Sequence, residues 1–354
     1  MHDPTGTETP VQDHEITIPD SSLVALAIDE GEGGRYVYLA DVNQNKIYLI
    51  SQNDLTSRQE VLLAGTPVAM DTTENGELLV VAADGDAPSV HIINVNTLQV
   101  ADSISLGAGV TPTSISVASQ NRMYVGIEND DGSKEILGFS LAGDDWPAIA
   151  NLSDVDGYIS GRSKDRTVLY TSDQGQASGH GDVPTISKWD LTNASPELLV
   201  SGDIFGVGAG ADGWVLSIPP HDDQIMVYGR GVDGQNGSVF YDGMAPVYDA
   251  GSFEKSYDLS VEYQAIAAAV TSGGARLIVA HNEELLFGTS EKHVKTRADI
   301  HIFNMETGEE LKDDVIITEG FVHTNGLAID DDRTIYALLG EDRGTANTLG
   351  VYVR

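Results

Sequence analysis

The stretch Leu26-Ala27-Ile28-Asp29, a glycine-rich turn, Tyr36-Val37-Tyr38-Leu39-Ala40-Asp41 and then Lys46-Ile47-Tyr48-Leu49-Ile50 decides the fold. Short runs of β-branched and aromatic residues, separated by Asp, Asn and Gly, read as a β-hairpin followed by a third strand. A fourth run, Val61 to Ala64, completes a four-stranded unit.

Outward from this stretch the unit recurs. Hairpins are expected at Val68 to Asp71 with Leu78 to Asp84, and at Ile115 to Val117 with Met123 to Glu128 across a Gln120-Asn121 turn. Further copies are Tyr158-Ile159 with Thr167 to Ser172, Val207 to Ala211 with Trp214 to Ile218, Ile266 to Val270 with Leu277 to Ala280, and Leu327 to Ile329 with Thr334 to Leu339. Third strands follow at Val90 to Ile93, Ile136 to Phe139, Ile186 to Trp189, Ile225 to Tyr228, Ile300 to Phe303 and Leu349 to Tyr352. Fourth strands are legible at Ser103 to Leu106, Ile149 to Leu152, Leu198 to Val200 and Val315 to Thr318. In the fifth copy the last strand is either Ser238 to Tyr241 or Ser256 to Val261.

Four strands recurring at roughly 44 to 60 residues point to propeller blades. A sandwich or β-helix also has many strands, but neither needs one strand of its last unit at the other terminus. The last copy ends at its third strand, and Glu15 to Ile18 alternates in hydropathy and belongs to no copy. Pairing the two would leave no blade edge open. The expected fold is therefore an all-β, seven-bladed β-propeller of four-stranded antiparallel blades, one domain over residues 14–354 behind a disordered leader, residues 1–13.

Arg35-Tyr36-Val37-Tyr38-Leu39-Ala40-Asp41, together with Val90-His91-Ile92-Ile93-Asn94-Val95-Asn96-Thr97 and Ile302-Phe303-Asn304-Met305-Glu306-Thr307-Gly308-Glu309, resembles the YVTN-type (YncE-like) seven-bladed repeat. Thr171-Ser172-Asp173 and Ser217-Ile218-Pro219 depart from that pattern. Such propellers include binding proteins, lactonase-like enzymes, polysaccharide lyases and scaffolds, so the resemblance implies a fold and leaves activity open. It also implies a periplasmic or extracellular protein; the polar leader Met1 to Asp13 reads equally as the stub left by a removed secretion signal or as an ordinary disordered terminus.

The chain has no cysteine, which excludes disulfides and thiolate chemistry. Its 19 Lys plus Arg against 55 Asp plus Glu give a formal charge of -36. Such a surface repels nucleic acid and anionic membranes, and it suits a high-salt setting where screening relieves self-repulsion. No apolar run is long enough to span a bilayer. A monomer binding a protein or carbohydrate is expected.

The residues just past the expected second strands are Asp41, Asp84, Glu128, Asp173, His221, His281 and Glu341. All are ionisable and would share one face, joined there by His323, His180 and His293. A metal site is expected from His180, His221, His281 and His323: imidazole with carboxylate suits Zn²⁺, whereas carboxylates and carbonyls alone suit Ca²⁺. Against this, an Asp ending a strand is ordinarily a solvated turn residue in so acidic a chain. His91 and His301 fall inside third strands, where a part-buried, hydrogen-bonded imidazole is expected rather than a ligand.

The connection 282–299 carries Lys292, His293, Lys295 and Arg297, a basic cluster that would either neutralise an acidic ligand or pair with neighbouring acids. The leading functional expectation is a non-enzymatic binding propeller recognising a partner, a metal ion or an acidic carbohydrate. One rival is a lyase-like or lactonase-like enzyme using His281, His221 and Arg297 with Tyr241 or Tyr248 as acid. A structural cell-surface protein is the other. Gly206 to Gly210 lacks the strand-to-helix context of a phosphate loop.

Overall fold

The structure, a computed structural model of the chain, describes residues 13–29, 36–143, 145–152, 158–163, 165–172, 185–203, 214–217, 224–229, 244–260, 265–271, 276–284, 296–305, 307–311, 315–330, 334–341 and 346–353. Residues 1–12 of the expected leader lie outside these.

The described strands form seven antiparallel sheets of four. The first strand, β1 (His14–Thr17), joins the last sheet. Blade one is β2 (Leu23–Ile28), β3 (Tyr36–Asp41), β4 (Lys46–Ser51) and β5 (Arg58–Leu62). Blade two is β6 (Thr66–Thr72), β7 (Leu78–Asp84), β8 (Ser89–Asn94) and β9 (Gln99–Ser105); blade three is β10 (Val110–Ala118), β11 (Arg122–Asn129), β12 (Lys134–Ser140) and β13 (Ala148–Leu152). Blade four is β14 (Tyr158–Arg162), β15 (Val168–Ser172), β16 (Thr185–Asp190) and β17 (Glu197–Asp203). Blade five is β18 (Trp214–Ser217), β19 (Gln224–Gly229), β20 (Met244–Asp249) and β21 (Lys255–Ser260); blade six is β22 (Ala265–Val270), β23 (Arg276–Glu284), β24 (Thr296–Asn304) and β25 (Ile316–Ile317). The last sheet runs β26 (Phe321–Ile329), β27 (Thr334–Gly340), β28 (Thr348–Val353), β1.

The innermost strands β2, β6, β10, β14, β18, β22 and β26 each touch the next, and β26 touches β2, so the ring closes. In blade five, β18 takes its place between β14 and β22. Closure uses the N-terminal strand: His14 pairs with Val351 and Thr17 with Thr348. Tyr352 donates its hydroxyl to Glu15 at 3.4 Å across the same junction. Gly350 makes room for that ring, since a Cβ there would lie 2.6 Å from the Tyr352 hydroxyl.

Because each blade is covered on both faces, its middle strands are apolar at successive positions rather than at alternate ones. In β3, Val37 and Leu39 pack toward the last sheet while Tyr38 and Ala40 pack toward blade two. The same division recurs in β7, where Val80 and Ala82 meet blade three and Leu79 and Val81 meet blade one. The turns follow local chemistry: Gln120 and Asn121 take φ of 59° and 54°, a left-handed backbone that Asn tolerates well. At the outer hairpins the carboxamide of Asn94 accepts the Thr97 N–H at 2.9 Å, and the carboxylate of Asp249 accepts that of Ser252 at 2.8 Å. Such side-chain acceptors replace backbone partners at a reversal.

Blade five corrects the sequence reading. Trp214–Ser217 is its innermost strand rather than its second, Gln224–Gly229 its second rather than its third, and Lys255–Ser260 its last. Val207 to Ala211 and Ser238 to Tyr241 lie outside the described residues. The missing third strand is Met244–Asp249, which contains Pro246. A proline cannot donate to a ladder, and the pairing with β19 runs from Asp249 to Val247, stopping short of it.

Candidate metal centre

Residues β23 and β24 are both nine long and pair continuously from Arg276 opposite Asn304 to Glu284 opposite Thr296. Side chains alternate along a strand, so one face of this hairpin carries Ile278, Ala280, Ala298, Ile300 and Ile302. That face packs on the last blade, against Val322, Ile335 and Leu339. The opposite face carries Leu277, Val279 and His281 on β23, and Asp299, His301 and Phe303 on β24. The register sets His281 directly opposite Asp299, and Val279 opposite His301.

Three potential ligands therefore converge on the side turned away from the last blade. His281, Asp299 and His301 are all buried, and a ligand atom of each lies within 4.8 Å of the others. The His281 Nε2 to Asp299 Oδ2 separation is 3.7 Å. Two ligands at about 2.0–2.1 Å from a tetrahedral ion stand roughly 3.3 Å apart, a little closer than the His281–Asp299 pair stands here. The imidazoles of His281 and His301 are stacked, with centroids 4.6 Å apart and planes at 23°. His301 Nδ1 contacts the carboxylate of Glu310.

Of the residues singled out in the sequence, His281 joins this cluster and His323 does not. His323 lies in β26, half-buried. Asp173, His180, His221, Tyr241, Lys292, His293 and Lys295 lie outside the described residues, and Arg297 is placed only as the β24 residue opposite Glu283. In sequence, His221 falls between β18 and β19, whereas His281 lies inside the second strand of blade six. Asp41 is fully buried and accepts N–H groups of Ser22 at 3.0 Å and Asn43 at 2.9 Å, and the Tyr48 hydroxyl at 3.2 Å. It is a structural turn residue. Asp84 accepts the Gly85 N–H at 2.8 Å, while Glu128 and Glu341 are exposed. Tyr248 is fully buried within β20.

The sequence places His301 inside a third strand as a hydrogen-bonded imidazole and does not mark Asp299 or Glu310. The signal was present in Asp299-Ile300-His301-Ile302-Phe303, whose polar positions alternate with apolar ones. His91, placed likewise in a third strand, is buried with Nδ1 2.8 Å from the Ser103 hydroxyl, and burial lowers its pKa.

No family model and no curated protein matches this chain. Among solved structures, the β-propeller domain of Cps50 (Swd1) from Myceliophteria thermophila is similar, with a TM-score of 0.64 at 9% identity, covering 96% of this chain and 100% of that one. The likeness is one of fold. It replaces the YVTN-type resemblance, which no family model supports: short aromatic and β-branched runs with Asn-x-x-Thr turns satisfy the mechanics of a blade and so recur without marking a family. No helix among the described residues is long and apolar enough to cross a membrane.

Proposed function

We propose that the protein is a non-enzymatic binding propeller that holds a divalent first-row transition ion in blade six, leaving its loop face for a protein or carbohydrate partner. The observation that carries this reading is the buried convergence of His281, Asp299 and His301. Two imidazoles and one carboxylate favour Zn²⁺ and its neighbours over Ca²⁺, which seeks six to eight oxygens. Three protein ligands leave a coordination position for water or for an atom of a partner.

The test is equilibrium dialysis of Zn²⁺ against chelator-treated protein free of any histidine tag. One ion per chain, lost in His281→Ala and not displaced by excess Ca²⁺, is the expected result. Absence of stoichiometric uptake by the unaltered chain would defeat the metal reading.

A further inference from the structure

We infer that Glu310 is the positioning residue of this centre: by accepting a hydrogen bond from His301 Nδ1 it presents Nε2 as the atom that takes the ion. This rests on the metal reading above and adds which nitrogen binds and what orients it.

Glu310 stands outside the trio, in the connection between β24 and β25, where it bridges to Phe303. The backbone holds it from both sides. Asn304 N–H donates to Glu309 O at 2.9 Å, Leu311 N–H donates to Ile302 O at 2.8 Å, and the Asn304 side chain accepts the Thr307 N–H at 3.1 Å. Gly308, at φ 68°, supplies the left-handed residue that reverses the chain just before Glu310. The carboxylate thus arrives at His301 on a braced hairpin rather than on a free loop.

A carboxylate only accepts, so the proton of this contact belongs to Nδ1 of His301. The other nitrogen, Nε2, is buried without a hydrogen-bond partner among the described residues, in a residue only 8% exposed. A proton on Nε2 would be a second donor with nothing to receive it, whereas the lone pair of the neutral tautomer is what a cation seeks. An imidazole that gives one N–H to a carboxylate and its other nitrogen to a metal is a recurrent arrangement, because the carboxylate fixes the ring and raises its basicity.

The test compares Zn²⁺ affinity, measured by competition with a chromophoric chelator, in the unaltered protein, Glu310→Ala and Glu310→Gln, with Co²⁺ absorption as a reporter of ligand geometry. Glu310→Ala should bind roughly 10–100-fold more weakly and shift the Co²⁺ bands, while Glu310→Gln, which keeps an acceptor without the charge, should recover part of the loss. Equal affinity and unchanged bands in Glu310→Ala, or Glu310→Gln no better than Glu310→Ala, would overturn the assignment. If Glu310→Ala does not fold, Glu310→Gln decides alone: about threefold or greater weakening with shifted bands upholds it, and parity with the unaltered protein sinks it. Uptake by the unaltered chain and by Glu310→Ala alike overturns only the role of Glu310. No uptake by the unaltered chain overturns the metal reading beneath it.

Discussion

Arg162 donates to both carboxylate oxygens of Asp71, at 3.1 and 3.2 Å, although the two stand at the ends of innermost strands two blades apart. The intervening blade is drawn in, because Asp71 also accepts the Val117 N–H at 2.8 Å. Arg166, almost wholly buried, donates to the backbone carbonyls of Thr72 and Val117. One carboxylate and two guanidinium groups thus clasp blades two, three and four where their inner strands end. Within the same group of blades, Ile159 N–H donates to the Ser114 hydroxyl at 3.0 Å, joining the inner strands of blades three and four.

Asp71→Ala should be costly. It removes a bidentate acceptor from a little-exposed pair and leaves a guanidinium without its counter-charge, a loss of roughly 3 kcal/mol. Urea unfolding of Asp71→Ala, Arg162→Ala and the double variant would show the two losses to be non-additive, because either change alone breaks the same contact.

The same clasp carries a pH dependence. Burial pushes the Asp71 carboxyl up, but the Arg162 and Arg166 charges and the hydrogen bonds outweigh it, so its pKa lies below the ordinary carboxylate value. A depressed carboxyl contributes stability that is complete above its unfolded pKa of about 3.9 and is lost as pH falls through the folded value. Acid unfolding should therefore weaken the unaltered protein more steeply below about pH 4 than it weakens Asp71→Asn.

Tyr48 offers a signature at the alkaline end. Burial, the charge of Asp41 and its hydrogen bond push the phenol up to about 12. Since its folded pKa is raised, this contribution is complete below the unfolded value near 10 and is lost as pH rises toward the folded one. Absorbance titration should show a late-ionising tyrosine that disappears in Tyr48→Phe, at a stability cost of about 1 kcal/mol for the lost hydrogen bond.

Ring closure can be tested at Gly350. A methyl group there would meet the Tyr352 ring within 3 Å, so Gly350→Ala should lower the unfolding midpoint and speed amide exchange in Thr348–Val353. Removing residues 1–17 should do the same more strongly, because it exposes the edge of β28 that β1 covers.

Charge gives a prediction at the level of the whole chain. With a formal net charge of -36, the folded state is opposed by its own field, and raising NaCl from about 0.1 M to 2 M should raise the thermal midpoint. A midpoint that stays flat or falls would remove the high-salt reading.

The sequence by itself determined the repeating unit, because a hairpin is a local object: apolar runs such as Val37 to Ala40 and turns such as Gln120-Asn121 specify a strand pair without reference to the rest of the chain. Even locally, Pro246 hid the third strand of blade five and moved its neighbours along by one place. Only the tertiary structure brought the candidate metal ligands together. Asp299 meets His281 because a register is held across a long connection, and Glu310 reaches His301 because the outer hairpin folds back on Ile302 and Asn304. No single segment carries those distances, since each is set by strands that must first pair and then pack against another blade.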